Sequence, residues 1–126
     1  MILVDSSVWI AAWRGHHPDL MNKLSVIVEA GEAVINPLIR TELLQGAKDK
    51  AHQKKLTGLL DPIPVDLITS EIWDAAPVYY LECREKGITL TTVDCLIATH
   101  SFAKKISLWS LDKVFNQLPK IRLFSA

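Results

Sequence analysis

The chain has 126 residues, with 14 basic and 14 acidic side chains, so its formal net charge is zero. This length predicts one domain over residues 1–126, able to bury roughly two thirds of its unfolded surface without disulfides. Hydrophobic residues make up 49% of the chain and charged residues 22%, which excludes a disordered protein. The neutral charge balance also excludes a protein that is basic over its whole surface and binds nucleic acid in that way.

The cysteines and the hydropathy of the chain indicate the cellular location of the protein. Cys83 and Cys95 fall in stretches that are predicted to be helical, and they lack the paired spacing of a disulfide or metal motif. No run resembles a secretion signal or a membrane span. We therefore expect a cytoplasmic protein.

Strand and helix patterns alternate through the first half of the chain. The apolar run Met1–Val4 predicts a central strand buried on both faces. Asp5, Ser6 and Ser7 then supply N-cap chemistry for a helix that ends near Gly15. The next predicted elements are a helix after Pro18, a strand over Ala33–Ile35, a helix from Pro37 to about Gly46 and a lysine-rich helix over 48–60.

The second half continues this alternation. Pro62 and Pro64 precede a brief predicted strand over Ile63–Leu67. The remaining predicted elements are a long helix capped by Thr69 or Ser70, kinked at Pro77 and ended by Gly87, a helix over Val93–Ala103, and strands over Ile106–Trp109 and Ile121–Phe124. Because strands alternate with helices, we predict an α/β fold, a three-layer α/β/α sandwich with a central parallel sheet.

Four acidic residues are the candidate functional groups. Each stands beside a predicted strand or helix and has no basic partner next to it in sequence: Asp5, Glu42, Asp94 and Asp112. Ligands of open parallel sheets bind beyond the carboxyl ends of the strands, so we expect these acids to converge there. Grouped carboxylates repel one another unless a cation or a shared proton intervenes, and oxygen ligands favour Mg²⁺ or Mn²⁺.

Each acid also has a structural explanation. Asp5 and Asp94 are adequate helix N-caps, and Asp112 could open a turn. Glu42 lies beside Leu43 and Leu44, near an apolar face where an unpaired charge is costly.

Four motifs surround these acids. They are Val4-Asp5-Ser6-Ser7-Val8-Trp9-Ile10, Arg40-Thr41-Glu42-Leu43, Thr92-Val93-Asp94-Cys95-Leu96-Ile97-Ala98 and Leu108-Trp109-Ser110-Leu111-Asp112-Lys113-Val114-Phe115. In order and spacing they resemble the four motifs of PIN-domain ribonucleases, and specifically of the VapC-type toxins of bacterial and archaeal toxin–antitoxin pairs. The likeness covers essentially the whole chain. It departs at Val114, where the fourth motif often has a second aspartate, and at His100 and Ser101, where the third motif's helix usually continues with small apolar residues.

The resemblance implies a PIN-like fold and a Mg²⁺- or Mn²⁺-dependent endoribonuclease, which hydrolyses RNA phosphodiester bonds. Asp5 and Asp94 would be the principal metal ligands, with Glu42 and Asp112 completing the site. Which of Glu42 and Asp112 orients the attacking water stays open. Ser7 and Ser110 would hold the carboxylates in position by hydrogen bonds. As a toxin, the protein would inhibit translation and be restrained by a cognate antitoxin.

Besides the antitoxin, the expected partners are RNA and a second copy of this chain. Basic residues near the acidic motifs are candidates for RNA contacts, although lysine clusters are also typical of solvated helix faces: Arg14, Lys104, Lys105 and Lys113. An RNA with an exposed loop, such as a tRNA, is the expected substrate. A homodimer is the expected assembly.

Two other functions compete with this hypothesis. A phosphoacceptor signalling domain also binds Mg²⁺ at the edge of a doubly wound sheet, and Asp66 is the candidate phosphorylation site here. A catalytically idle PIN-like module that acts only by binding is the second alternative. Zinc chemistry is not indicated, because the histidines lack ligand spacing and are expected on the surface or in packing: His16, His17, His52 and His100.

Overall fold

The computed structural model describes residues 1–125. It contains three short strands, β1 (Ile2–Val4), β2 (Ala33–Val34) and β3 (Ser107–Trp109). The helices are α1 (Ser6–Arg14), α2 (Pro18–Glu29), α3 (Pro37–Gln45), α4 (Lys50–Leu60), α5 (Ser70–Glu85), α6 (Thr92–Lys104) and a 3₁₀-helix over Lys113–Gln117. Within the described residues, no helix combines the length and the apolar character needed to cross a bilayer.

The sheet is parallel and has the strand order β2-β1-β3. Every residue of β1 and β2 is buried. Successive side chains of a strand point to opposite faces, so a strand buried at every position is covered on both sides. The predicted α/β fold with a central parallel sheet is therefore confirmed.

The strand order reverses at β1, which lies between the other two strands. Leu3 pairs with Val34 on one side and with Leu108 on the other. One residue further on, the Asp5 N–H donates to the Trp109 carbonyl oxygen at 2.9 Å. The ladder therefore fixes the Asp5 backbone at the carboxyl edge of the sheet, where parallel α/β folds bind ligands.

Two predicted strands are wrong. Over Ile63–Leu67, Val65 forms only an isolated bridge to Ile35, and over Ile121–Phe124, Leu123 forms only an isolated bridge to Leu108. In the first segment Pro64 has no N–H to donate, so pairing does not extend. In the second, Lys120 adopts a left-handed conformation with φ of 70°, which turns the chain just before it reaches β3.

Helix starts follow the local signals. Asn36 caps α3 by accepting a hydrogen bond from the Ile39 N–H at 2.9 Å, and Pro37 lies in the first turn. Asp5 occupies the N-cap position of α1 and Thr69 that of α5, but neither side chain makes a capping hydrogen bond. The Asp5 carboxylate is therefore available for other contacts.

Candidate active site

Asp5 is the centre of the candidate site. It is only 5% exposed, and its Oδ2 atom accepts hydrogen bonds from the hydroxyl of Ser7 at 2.8 Å and of Ser110 at 2.7 Å. No buried side-chain oxygen within residues 1–125 lacks a partner. Oδ1 accepts no hydrogen bond among these residues, so it must reach solvent. One oxygen of Asp5 is thus fixed and the other is open to a ligand.

The two serines also bind the segment that follows β3. The Ser7 hydroxyl oxygen accepts the Leu111 N–H at 3.0 Å, and the Ser110 oxygen accepts the Asp112 N–H at 3.0 Å. Both hydroxyl protons go to Asp5, so each serine is a donor and an acceptor at once. These bonds join the loop after β1 to the loop after β3 and hold Asp112 near Asp5.

Asp112 and Asp94 both lie at helix starts. The Asp112 Oδ1 atom accepts the Val114 N–H at 3.1 Å and opens the 3₁₀-helix. Asp94 is in the first turn of α6, where its N–H donates to the Thr91 hydroxyl oxygen at 3.1 Å. Thr91 thus receives the backbone N–H of Asp94 at the start of α6.

Glu42 comes from the middle of α3. Its Oε1 atom lies 3.4 Å from the Ser6 hydroxyl, a long contact that links α3 to the start of α1. Burial raises the pKa of Glu42, and the carboxylates of Asp5 and Asp94 raise it further, while the Ser6 hydrogen bond lowers it. Glu42 thus faces the same space as two of the other acids.

The pKa of Asp94 is raised, as is that of Glu42. Burial raises the pKa of Asp94, the hydrogen bond with Thr91 lowers it, and the charges of Asp112 and Asp5 raise it. Each of the four acids therefore acts on at least one other through its charge. Within residues 1–125 none of them forms an ion pair with a lysine, arginine or histidine.

The fit of this site to a metal ion rests on its donor chemistry. The four carboxylates offer only oxygen atoms, which suit Mg²⁺ or Mn²⁺. In the part of the chain that the structure describes, no group of three or more His, Cys, Asp or Glu side chains is arranged closely enough to hold a metal ion. Mg²⁺ usually keeps several waters and binds through one or two carboxylates, so it does not need such a closed group. The donor set fits a hydrated hard cation and does not fit a preformed cage.

The basic residues predicted to contact RNA lie at different distances from the acids. Lys113 directly follows Asp112 and is exposed. Lys104 and Lys105 lie at the opposite end of α6 from Asp94, about 15 Å away along the helix axis. Arg14 ends α1, about 12 Å along the axis from its start. Lys104 and Lys105 were predicted to lie near the acids because they are close to the acidic motifs in sequence. The length of α6 instead places them at the far edge of the sheet.

A buried polar chain lies behind the acids, and sequence reasoning missed it. Asn36 and His100 are fully buried, and the Asn36 Nδ2 atom lies 3.1 Å from His100 Nδ1, while His100 Nε2 lies 2.6 Å from Asp66 Oδ2. The Asn36 oxygen already accepts from Ile39, so its nitrogen must donate to Nδ1. His100 therefore carries its proton on Nε2 and donates it to Asp66.

This chain connects the helices that carry the acids. Asn36 caps α3, which bears Glu42, and His100 belongs to α6, which bears Asp94. Asp66, the candidate phosphorylation site, is bonded to His100 and does not follow the central strand. That placement argues against a phosphoacceptor domain.

An apolar groove is present near the start of α6. It lies between α5 and α6, and its lining includes Trp73, Pro77, Tyr80, Leu81 and Thr92. Trp73 and Leu81 are each 50% exposed. Thr92 and Cys95, on either side of Asp94 in sequence, both line the groove, so it lies at the end of α6 that carries Asp94.

Comparison with solved structures shows the same fold in several proteins. A chain of VapBC2 from Rickettsia felis, bound to a DNA fragment from its promoter, matches with a TM-score of 0.83 at 21% identity, covering 98% of both chains. DNA-bound VapBC from Salmonella typhimurium matches with a TM-score of 0.82 at 16% identity, covering 98% of this chain and 96% of that one. FitAcB from Neisseria gonorrhoeae matches with a TM-score of 0.79 at 14% identity, covering 99% and 97%.

Sequence comparison gives the family. None of the curated proteins matches the sequence. The PIN domain family matches residues 2–121, nearly the whole chain and all four acidic motifs. The resemblance to PIN domains is thereby confirmed, and the chain belongs to the PIN domain family.

Proposed function

We propose that this protein is a metal-dependent endoribonuclease that acts as the toxin of a toxin–antitoxin system. It would hydrolyse RNA phosphodiester bonds, inhibit translation and be restrained by a cognate antitoxin. The observation that carries the proposal is the group of four mutually repelling acids at the carboxyl edge of the sheet, none of which has a basic partner within residues 1–125.

Asp5 and Asp94 are the proposed principal ligands of Mg²⁺ or Mn²⁺, with Glu42 and Asp112 bound directly or through water. When bound, such an ion supplies a nucleophile from water at neutral pH and a counter-charge for the phosphate oxygens. Asp5 presents its free oxygen at a fixed place, because Ser7 and Ser110 hold the other one. Glu42 or Asp112 would orient the attacking water.

The test of this function is cleavage of total cellular RNA with Mn²⁺ or Mg²⁺, with the cut ends sequenced. Wild-type protein should cut at defined places, and EDTA should abolish cutting. Asp5→Asn and Asp94→Asn should remove activity without unfolding the protein. A wild-type protein that cuts no RNA with any divalent ion would instead favour the catalytically idle binding module.

The antitoxin is proposed to cover both the acids and the apolar groove. An arginine of its tail would satisfy the carboxylates by charge-assisted hydrogen bonds and displace the metal. Apolar side chains of the same tail would pack on Trp73 and Leu81, which are half exposed. A toxin–antitoxin complex from Klebsiella pneumoniae contains a chain of the same fold, with a TM-score of 0.77, which supports a protein partner here. Co-expression with the neighbouring gene, followed by co-purification, tests this partner.

A structured RNA such as tRNA remains the proposed substrate, since single-stranded loops expose the bases that proteins read. A homodimer remains the proposed assembly. Sequencing of the cut ends tests the first, and sedimentation of the purified protein tests the second.

A further inference from the structure

A cavity of about 440 Å³ lies on the side of the molecule formed by α1, α3 and α4. Its lining includes the aromatic ring of Trp13, the cationic side chains of Arg14 and Lys48, and the imidazole of His52. None of the described residues that line it is acidic. The cavity therefore combines positive charge with an aromatic wall.

The ring of His52 is held in one orientation by the backbone. Its Nδ1 atom accepts the Lys48 N–H at 3.0 Å, while the His52 N–H donates to Asp49 Oδ1 at 2.8 Å. The two bonds differ from a capping box in that His52 accepts from Lys48, the residue before the N-cap Asp49, and not from Asp49 itself. Because Nδ1 is an acceptor, the proton of the neutral ring lies on Nε2. Nε2 makes no hydrogen bond to other residues of 1–125, so it is free to donate to a ligand in the cavity.

The cavity is linked to the acidic site by α1 and α3, which contribute residues to both. α1 begins at the acids and ends at Trp13 and Arg14, about two helical turns away. α3 carries Glu42 toward the acids, and the next residue, Leu43, lines the cavity. The contact between Ser6 and Glu42 joins these two helices at the acidic end. A chain lying along α1 would pass from the acids to Arg14.

We propose that this cavity binds the RNA strand beside the scissile bond, a deduction that rests on the proposed nuclease function. Arg14 and Lys48 contact a flanking phosphate, His52 donates to it through Nε2, and a base packs on Trp13. Cationic side chains that neutralise phosphates provide most of the affinity for single strands, and aromatic stacking adds affinity without sequence preference.

The other basic surfaces are less suited to this role. Lys120 is paired with Glu82 at 2.9 Å, and Arg122 donates to the Lys105 carbonyl oxygen at 3.0 Å. This cluster also lies near the far end of α6 from Asp94. Lys54 and Lys55 are exposed on α4 but do not line the cavity. They carry the same charge as Lys48 and lie on the helix that bears His52, which makes them matched controls.

The experiment measures binding of a short, fluorescein-labelled single-stranded RNA of mixed sequence in EDTA, over a series of salt concentrations. Arg14→Ala and Lys48→Ala should each weaken binding about fivefold or more at low salt. Each should also reduce the slope of log affinity against log salt by about 0.7, the value for one phosphate contact. Lys54→Ala and Lys55→Ala should leave affinity and slope unchanged within error.

His52 provides a second and independent variant. His52→Gln can keep the bond to the Lys48 N–H through its amide oxygen and still present an N–H donor, so it should bind RNA nearly as well as the wild type. His52→Ala should weaken binding severalfold without changing the salt slope, because the lost contact is uncharged. Circular dichroism of each variant confirms that the measured affinity belongs to folded protein.

The same variants are then assayed for cleavage with Mn²⁺. Arg14→Ala and Lys48→Ala should raise KM and leave kcat nearly unchanged, because they remove contacts away from the reacting phosphate. Unchanged affinity and slope in both variants, in a wild-type protein that does cut RNA, would overturn the subsite alone. Equal losses in the Lys54 and Lys55 controls would also overturn it. Wild-type protein that cuts no RNA would overturn the nuclease function and the subsite with it. Polyglutamate is titrated in the same way as a probe for an acidic protein segment. If Arg14→Ala and Lys48→Ala weaken the binding of polyglutamate but not that of RNA, the cavity binds an acidic protein segment and the RNA subsite is overturned.

Discussion

Replacing Asp5 by asparagine should separate catalysis from stability. Asparagine has nearly the same shape as aspartate, and its amide oxygen can still accept the hydroxyl protons of Ser7 and Ser110. What the substitution removes is the negative charge, and with it a metal ligand. The fold should therefore remain while activity is lost.

The expected change in stability is small because two effects oppose each other. Two hydrogen bonds to a charged acceptor become bonds to a neutral one, which costs roughly 1 kcal/mol each. The Asp5 charge raises the pKa of both Glu42 and Asp94, so its removal relieves a repulsion of roughly 1 kcal/mol with each. The net change in the free energy of unfolding is about 1 kcal/mol or less. For 126 residues this corresponds to a shift in Tm of about 4 °C.

Asp5→Ala gives the contrasting result. Alanine accepts neither hydroxyl proton, and two partly buried donors lose their shared acceptor, so the protein should be about 2 to 3 kcal/mol less stable than Asp5→Asn. Its Tm should fall about 10 °C below that of the asparagine variant. Activity should fall in both variants by about a thousandfold, since a bound metal contributes several kcal/mol to catalysis.

The assay combines thermal unfolding in EDTA with initial rates of cleavage of a quenched fluorescent RNA in Mn²⁺. Asp74→Asn, which neutralises an exposed carboxylate on α5, is the matched control and should change neither quantity. Wild-type turnover by Asp5→Asn would refute the ligand role of Asp5. If Asp5→Asn alone unfolds the protein, the charge of Asp5 is needed to hold the two serines, and the small expected change in stability is refuted.

Three further predictions follow from the other acids and from the buried polar chain. Glu42→Gln and Asp94→Asn should each stabilise the metal-free protein by roughly 0.5 kcal/mol after solvent screening, which urea unfolding can measure. Both acids have raised pKa values in the folded protein, so their contribution to stability is full below about pH 4 and is lost as pH rises through the folded pKa. Over this range the metal-free wild-type protein should lose stability relative to a variant that carries both Glu42→Gln and Asp94→Asn. Mn²⁺ at pH 7 should restore the stability of the wild type. His100→Ala should cost about 3 kcal/mol by urea unfolding, because the buried Asn36 amide loses its acceptor, whereas Asp66→Asn, which keeps an acceptor, should cost about 1 kcal/mol.

The sequence predicted the parts of this fold that local signals determine. The apolar run ending at Val4 and the proline in the first turn of α3 each mark a boundary by chemistry within a few residues. Asp94 was predicted as an N-cap, but it lies in the first turn of α6 and Thr91 is the N-cap. Asp5, Asp94 and Asp112 stand at or near such boundaries, so their arrival at one edge of the sheet followed from the predicted element order, whereas Glu42 lies in the middle of α3. The two false strands failed for the opposite reason: whether a short apolar segment pairs along its length depends on the partner strand and on the turn that leads into it.

Contacts between distant segments were not predictable in this way. Asn36, Asp66 and His100 are separated by 30 to 64 residues, and no local pattern connects them. Asp5 illustrates the same limit within a single residue. Its position predicts an N-cap, yet its carboxylate is committed to Ser110, which lies 105 residues away. A sequence read in short windows cannot decide between these two partners.

The choice of partner by Asp5 explains how a small sheet can hold repelling acids in place. A capping aspartate would turn its charge into the start of α1, where the helix N–H groups would partly neutralise it. Here the serine hydroxyls take that place on one oxygen only, and each serine oxygen in turn receives an N–H from the loop after β3. The free oxygen of Asp5 and the backbone of Asp112 are therefore fixed relative to each other by neutral groups. The charge of the site stays uncompensated by the described residues, which is the condition that a cation or an arginine of a partner would relieve.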